Sequence, residues 1–195
     1  MARIERISSS RKEHKCSKCG NTIEVGQPYL KATPYRRPTI YRCIKCGLKS
    51  YETSGSEYIK EVGSIVEDWE DNYSLGETTA EEIASTLEEL RDSQQDSLDN
   101  MPENLQYGNT GQMLQERIDS LDSVIDELND ISWEDCESEA REEAENEMGE
   151  YDPEDEDKEY DSEEDFKEAL EEKVTELTEE KYTDFIEEAL SGLEY

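Results

Sequence analysis

Charge is divided unevenly along this chain, and the division limits the folds that it can adopt. Of 195 residues, 54 are acidic and 20 are basic. Residues 1–62 hold 13 of the bases and 6 of the acids, whereas residues 63–195 hold 7 bases and 48 acids. Such an excess of like charge opposes compact folding, and only 32% of the residues are hydrophobic. We therefore expect a small basic module followed by an elongated acidic one.

The same division bears on the origin of the acidity. Adaptation to high salt adds acids to every surface and depletes lysine generally, but residues 1–62 remain rich in lysine and arginine. The asymmetry favours a binding role over adaptation to a salty habitat.

Two C-x-x-C-G motifs lie in the basic module, "CSKCG" at Cys16 and Cys19 and "CIKCG" at Cys43 and Cys46. Each motif is typical of a tight turn that brings two thiolates to one metal ion, and the glycine lets the backbone curl. Four thiolates suit Zn²⁺ better than an iron–sulfur cluster or a bare redox role. The sequence predicts a zinc ribbon with short strands over residues 1–55, in which the metal is structural because no coordination position stays open.

Other polar residues of this module allow more than one interpretation. The only histidine, His14, precedes Cys16 and is expected to face solvent, although a histidine can replace a thiolate ligand. Lys31, Arg36, Arg37 and Arg42 alternate with tyrosines, a mixture that contacts phosphates and bases. The tyrosines fit a thin ribbon core equally well, and the arginines could dock on the acidic part of the same chain. Both interpretations stay open.

Helical periodicity begins near residue 56. A first apolar stripe covers Tyr58 to Trp69, and "TAEE" at Thr79 fits a capping box. Leu114, Ile118, Leu121, Ile125 and Leu128 are spaced in heptads. For residues 56–131 these features predict an antiparallel hairpin of two helices, at about 79–100 and 111–131, separated by turn-forming residues.

Residues 132–195 combine thin apolar stripes with a very high density of acids. The stripes predict helices rather than a disordered tail, with order least certain at residues 150–162. Folded helices would hold the acids in a dense array that resembles the phosphates of DNA. We interpret this array as a surface that binds a basic partner. Its predicted residues are Glu134, Asp135, Glu137, Glu139, Glu142, Glu143, Glu145, Glu147, Glu150, Asp152, Glu154, Asp155, Glu156, Asp157, Glu159, Asp161, Glu163, Glu164 and Asp165.

The ordinary interpretation of such runs is a solvated helix face. Solvated faces usually mix signs, however, because glutamate–lysine pairs one turn apart stabilise a helix. Seven bases over residues 63–195 provide few such pairs. This shortage favours mimicry of DNA, or another role with a basic partner.

One further pattern supports this interpretation. The cysteine motifs, together with "DNMPENLQYG" and "TGQMLQERIDSLDSVIDEL", resemble a group of small tailed-bacteriophage proteins without an assigned activity, over residues 9–131. The resemblance implies a phage protein in the host cytoplasm. By analogy with phage-encoded DNA mimics, it suggests an inhibitor of a host DNA-binding protein such as a restriction, nuclease, CRISPR or polymerase component. Residues after 132 fall outside the resemblance.

Other functions are less well supported. No nucleophile–base motif, phosphate loop or signal segment is present, so we expect neither catalysis nor export. Paired cysteines fit a reducing, cytoplasmic compartment. The main alternative is an adaptor whose ribbon binds nucleic acid directly while the acidic part recruits a basic partner. Dimerisation through the ribbon is compatible with either function.

Overall fold

The computed structural model describes residues 2–72, 79–149, 151, 160 and 162–193. It is mainly helical with a small N-terminal β-region, as predicted. The chain forms two compact units, one reaching to Asp68 and one beginning at Trp69. This division falls inside the first helix, beyond the change of composition near residue 56. No described helix has the length and apolar character needed to cross a lipid bilayer.

Five short strands build the first unit. Strands β1 (Ile4–Ile7), β4 (Tyr29–Ala32) and β5 (Ile40–Cys43) form an antiparallel sheet in the order β1–β4–β5. Strands β2 (His14–Lys15) and β3 (Thr22–Ile23) form a separate hairpin. The sequence predicted the strands between the two cysteine pairs, but not β1 or β2, which precede Cys16.

Helix α1 (Glu57–Asn72) starts in the first unit, after a 3-10 turn at Tyr51–Thr53. The Tyr51 ring lies against Gly63 of α1, where an added Cβ would stand 2.2 Å from Cγ of the tyrosine. A glycine is therefore required at this crossing, which brings the aromatic ring directly onto the helix backbone.

After the end of α1, the second unit continues with a helical hairpin. Helix α2 (Ala80–Asp99) begins with the predicted capping box, since Thr79 and Glu82 each bind the other's backbone N–H. A short helix α3 (Glu103–Gln106) connects it to α4 (Asn109–Asn129). Arg91 pairs with Asp122, and Gln94 accepts from Arg117, so the helices run antiparallel as predicted. The observed helix ends lie close to the predicted ones.

Two more helices complete this unit. Helix α5 (Trp133–Met148) begins at Ser132, whose hydroxyl accepts from the N–H of Asp135, and α6 covers Glu163–Ser191. The two pack through a small core made by Ala140, Ala144, Val174 and Leu177. The C-terminal part of α6 reaches the hairpin, where the Ser120 hydroxyl donates to the Gly192 carbonyl. One long helix thus contacts both α5 and α4.

Candidate metal centre

The first cysteine pair occupies the loop of the β2–β3 hairpin. Strand β2 ends at Lys15, directly before Cys16, and the N–H of Cys16 donates to the Asn21 carbonyl at 2.9 Å. Gly20, which follows the second cysteine, has a φ of 72°. This left-handed conformation strongly favours glycine and folds both thiols toward one point.

The second pair follows β5 in the same manner. Cys43 is the last residue of the strand, the N–H of Cys46 donates to its carbonyl at 3.2 Å, and Gly47 has a φ of 65°. The N–H of Ser17 donates to the Tyr41 carbonyl at 2.9 Å, which holds the first pair beside β5. The expected role of both glycines is thus confirmed.

All four sulfur atoms lie within 4.8 Å of one another, and those of Cys19 and Cys43 are 4.0 Å apart. A tetrahedral Zn–thiolate centre with bonds of about 2.3 Å requires sulfur separations of about 3.8 Å. The spacing is therefore compatible with a metal site. Cys16 is buried and Cys19 is exposed, so the group sits at the edge of the ribbon core.

The four thiols of this cluster differ in pKa. Burial by itself would raise the pKa of Cys16, but N–H groups of Cys19, Cys43 and Lys18 donate to its sulfur and lower the pKa to about 6. Hydrogen bonding with Cys43 and Cys19 and burial raise the pKa of Cys46 to about 12. Four crowded thiols resist full ionisation, and a bound cation would relieve this repulsion.

His14 lies outside the sulfur group. Its ring stacks on Tyr41, with centroids 4.0 Å apart and planes 19° apart, and also contacts Tyr29. Burial, followed by the charges of Lys12 and Lys31, lowers the pKa of His14. The imidazole is half-buried against these two rings, so one side of it is covered and the other side is left to solvent.

The two cysteine loops are also tied to the residues that follow them. Lys18 pairs with Glu67 of α1 at 3.7 Å, and Glu67 accepts a hydrogen bond from the Tyr51 hydroxyl. Arg42, next to Cys43, pairs with Glu52. The roles of Tyr51, Glu52 and Glu67 beside the cysteines were not predicted, because contacts between residues far apart in sequence leave no local pattern.

Most of the ribbon bases predicted to meet nucleic acid have partners within the first unit. Lys31 lies 4.0 Å from Glu5, Arg37 donates to the Gly55 carbonyl at 2.6 Å, and Arg42 pairs with Glu52. Only Arg36 stands apart from these ion pairs, with its guanidinium 5.0 Å from the centre of the Tyr35 ring. The proposed docking of these bases on residues beyond 62 has no counterpart in these contacts.

Nearly all the predicted acids that the structure describes are exposed, and only Glu137 is half-buried. Eight of them lie on α5 and three begin α6. The others fall outside the described residues: Glu150, Asp152, Glu154, Asp155, Glu156, Asp157, Glu159 and Asp161.

Bases of the helical unit are placed mainly between helices. Arg141 of α5 binds Glu171 of α6 through two hydrogen bonds of 2.8 and 3.0 Å. Lys181 pairs with Glu143 at 2.8 Å, and its hydrogen bond, followed by its charge, lowers the pKa of that carboxyl. Lys173 likewise reaches α5, and Arg91 joins α2 to α4. Bases at these contacts leave the outer helix faces to the acids.

Comparisons with protein families, curated proteins and solved structures found no match to this chain.

Proposed function

We propose that this protein is a non-catalytic DNA mimic, which binds the DNA-binding surface of another protein through its acidic helices. In the setting that the phage resemblance implies, the partner is a host defence or polymerase protein and the complex forms in the host cytoplasm. The observation that carries the proposal is the arrangement of charge on α5 and α6.

The density of this charge approaches that of DNA. Helix α5 has eight acids and one base over 16 residues, and α6 has twelve acids and three bases over 29. At a rise of ~1.5 Å per residue, the two side by side carry one net negative charge per about 2 Å of axis. Duplex DNA carries one per about 1.7 Å. A basic surface that attracts DNA would therefore be attracted to these helices.

Direct contact would involve acids that form no ion pair with a base in the described part of the chain. Among the described residues, Glu139, Glu142 and Glu145 are exposed on α5 and make no ion pair. Because α5 is tied to α6 through Arg141, Lys173 and Lys181, these carboxylates are held on a braced helix. Preorganisation of this kind lowers the entropy lost on binding.

For the ribbon, we propose that Cys16, Cys19, Cys43 and Cys46 bind Zn²⁺. The sulfur spacing and the all-thiolate donor set support this metal over harder ions, which prefer oxygen ligands. When bound, the ion would supply structural cross-linking of the two cysteine pairs.

Binding to a basic partner is tested by charge reversal. Immobilised wild-type protein should retain a DNA-binding protein from bacterial lysate at low salt, release it at high salt, and lose it to added duplex DNA. The triple substitution Glu139→Lys, Glu142→Lys and Glu145→Lys should abolish retention. A matched triple at Glu13, Glu24 and Glu61, which are exposed in the first unit, changes net charge equally and should retain the partner. Equal loss in both triples would show that net charge alone attracts the partner.

The adaptor function is the second candidate, and the exposed Tyr35–Arg36 pair is the observation that favours it. Its test is a gel shift with the intact protein. Retardation of DNA that disappears on Arg36→Ala would replace mimicry by direct nucleic-acid binding.

A further inference from the structure

The connection between α2 and α4 presents apolar side chains in an otherwise acidic region. Leu105 is 49% exposed and Tyr107 is 79% exposed. Both flank Gln106, whose side chain points inward. We call residues 100–108 the α2–α4 corner.

Several contacts hold this corner in one conformation. The Gln106 amide donates to the carbonyls of Leu98 and Met101 at 3.2 and 2.9 Å, which satisfies the end of α2. The Gln106 carbonyl lies so close to Gly111 that an added Cβ would stand 1.9 Å from it. Leu105 and Tyr107 are therefore displayed on a fixed backbone, so a partner that covers them need not order this segment of the chain.

An acidic groove leads to the corner. This groove is shallow and wide open, with a volume of about 660 Å³, and it lies along one exposed face of α2, lined by Glu89, Asp92, Ser93, Asp96, Ser97 and the C-cap Asn100. From Glu89 to Asn100 the helix advances about 16 Å, or three turns. Asn100, the last residue that lines the groove, is also the first residue of the corner, and the Gln106 amide donates to the carbonyls of Leu98 and Met101 on either side of it.

Charge decides which occupant fits. A second copy of this chain, with a net charge of -34, would bring acids against acids. A basic segment would instead place lysine or arginine along the groove. A large apolar side chain beside those bases would then cover Leu105 and Tyr107.

We propose that the α2–α4 corner and the groove of α2 together bind a basic protein segment in which a large apolar side chain adjoins a run of lysine and arginine. This site rests on the proposed function and adds specificity to it. The acids attract the segment and set the rate of association, whereas burial of Tyr107 and Leu105 slows dissociation.

Two peptides of equal charge test the proposal against the full-length protein. Both carry the same run of lysine and arginine, and one ends in leucine and phenylalanine where the other has serine. Wild-type protein should bind the apolar-ended peptide about tenfold more tightly, as expected for covering one aromatic anchor. The ratio of the two affinities should persist as salt is raised, although both affinities fall.

Substitutions at Leu105 and Tyr107 test whether these side chains are responsible for the difference between the two peptides. The double substitution Leu105→Ala and Tyr107→Ala should bring the two peptides to equal affinity, whereas Tyr107→Phe should keep most of the difference. Val25→Ala, which shortens a 63% exposed apolar side chain of the first unit, should change nothing. Because all three side chains are exposed, circular dichroism should show an unchanged fold.

The outcomes separate this inference from the proposed function. Equal affinities for both peptides in the wild type would overturn the anchor and leave electrostatic binding intact. Failure of both peptides to bind at low salt would overturn the anchor and the basic partner together. A wild-type dimer in sedimentation that becomes a monomer on Tyr107→Ala would assign the corner to self-association instead, and overturn the proposal.

Discussion

Glu67 lies on α1 and meets two side chains of the ribbon, the ammonium of Lys18 and the hydroxyl of Tyr51. Burial, followed by the hydrogen bond to Glu67, raises the pKa of Tyr51, so this hydroxyl stays a donor at any physiological pH. Lys18 stands between Cys16 and Cys19. The Glu67 carboxylate therefore links the loop that carries Cys16 and Cys19 to the helix that follows the ribbon.

Replacement of one cysteine should show whether the two units fold independently of each other. We expect Cys43→Ser to lose bound metal and to unfold the ribbon, because three thiolates and a weak alcohol ligand cannot close the tetrahedral site. Metal content per chain and far-UV circular dichroism measure the two effects. The helical signal of α2 and α4–α6 should remain.

Cys136 provides the matched control for this experiment. It is buried on α5, in the second unit, and burial raises the pKa of its thiol. Cys136→Ala should leave metal content unchanged. Loss of all helicity in Cys43→Ser would mean that the helices depend on the ribbon, against the division into two units.

Sequence was informative at the residue scale where the constraint is local. Each cysteine pair and the glycine after it are contained in a five-residue pattern. That pattern predicted both the tight turn at the glycine and the close approach of the thiols. The carboxylates of Glu52 and Glu67 were not predicted, because many acids surround them in sequence and only the fold selects which one meets Arg42 or Lys18.

At the scale of elements, α1 depends on a close approach between Tyr51 and Gly63. We expect Gly63→Ala to destabilise the first unit by about 1–3 kcal/mol, because the new Cβ displaces the tyrosine ring. This loss should exceed the gain of about 0.5–1 kcal/mol that alanine normally brings to a helix. Thermal or denaturant unfolding of the two proteins measures the difference.

Two further variants show whether the crossing is responsible. Gly55→Ala adds the same methyl group where no atom lies within 4 Å, and should be nearly neutral. In a Tyr51→Ala background, Gly63→Ala should no longer be costly. A similar cost with and without the ring would place the effect elsewhere.

Ion pairs between α5 and α6 allow a second test at this scale. We expect Lys181→Glu to lower the melting temperature, because it places another carboxylate beside Glu143 and removes an interhelical pair. Glu143→Lys should also be unfavourable. The double exchange, Lys181→Glu with Glu143→Lys, restores opposite charges and should recover most of the lost stability. Additive losses in the double variant would show that this pair does not join the helices.

Helix existence was predictable because caps and apolar stripes are local signals. Thr79 with Glu82 marked the start of α2, and the heptads from Leu114 marked α4. The placement of α6 was not predictable, since its stripe specifies only that one face is buried. Strand β1 was missed because four residues, "IERI", are too few to show a clear alternation.

For the whole molecule, stability is a balance between attraction at helix contacts and repulsion among the remaining acids. Lys181 lowers the pKa of Glu143, and Arg141 lowers the pKa of Glu171, each mainly through a hydrogen bond to the carboxylate. A lowered pKa in the folded state means that the pair stabilises fully above the unfolded pKa. Its contribution is lost as the pH falls through the lowered value.

Repulsion depends on pH in the opposite sense. A net charge of -34 at pH 7 destabilises the compact state, and partial protonation of carboxylates reduces it. Carboxyl groups in general begin to protonate near pH 5, above the range in which Glu143 and Glu171 lose their charge. Mild acidification therefore removes repulsion before it breaks the interhelical pairs.

We therefore expect the melting temperature to rise as the pH is lowered from 7 toward about 5, and to fall again at lower pH when the paired glutamates protonate. Thermal unfolding followed by circular dichroism over this range measures the curve. High salt should flatten its rising part, because screening already removes the repulsion at neutral pH. A steady decline from pH 7 downward at low salt would contradict the expectation and indicate that ion pairs outweigh repulsion throughout. In that case the repulsion among the carboxylates of the helices would be weaker than a charge density close to that of DNA implies.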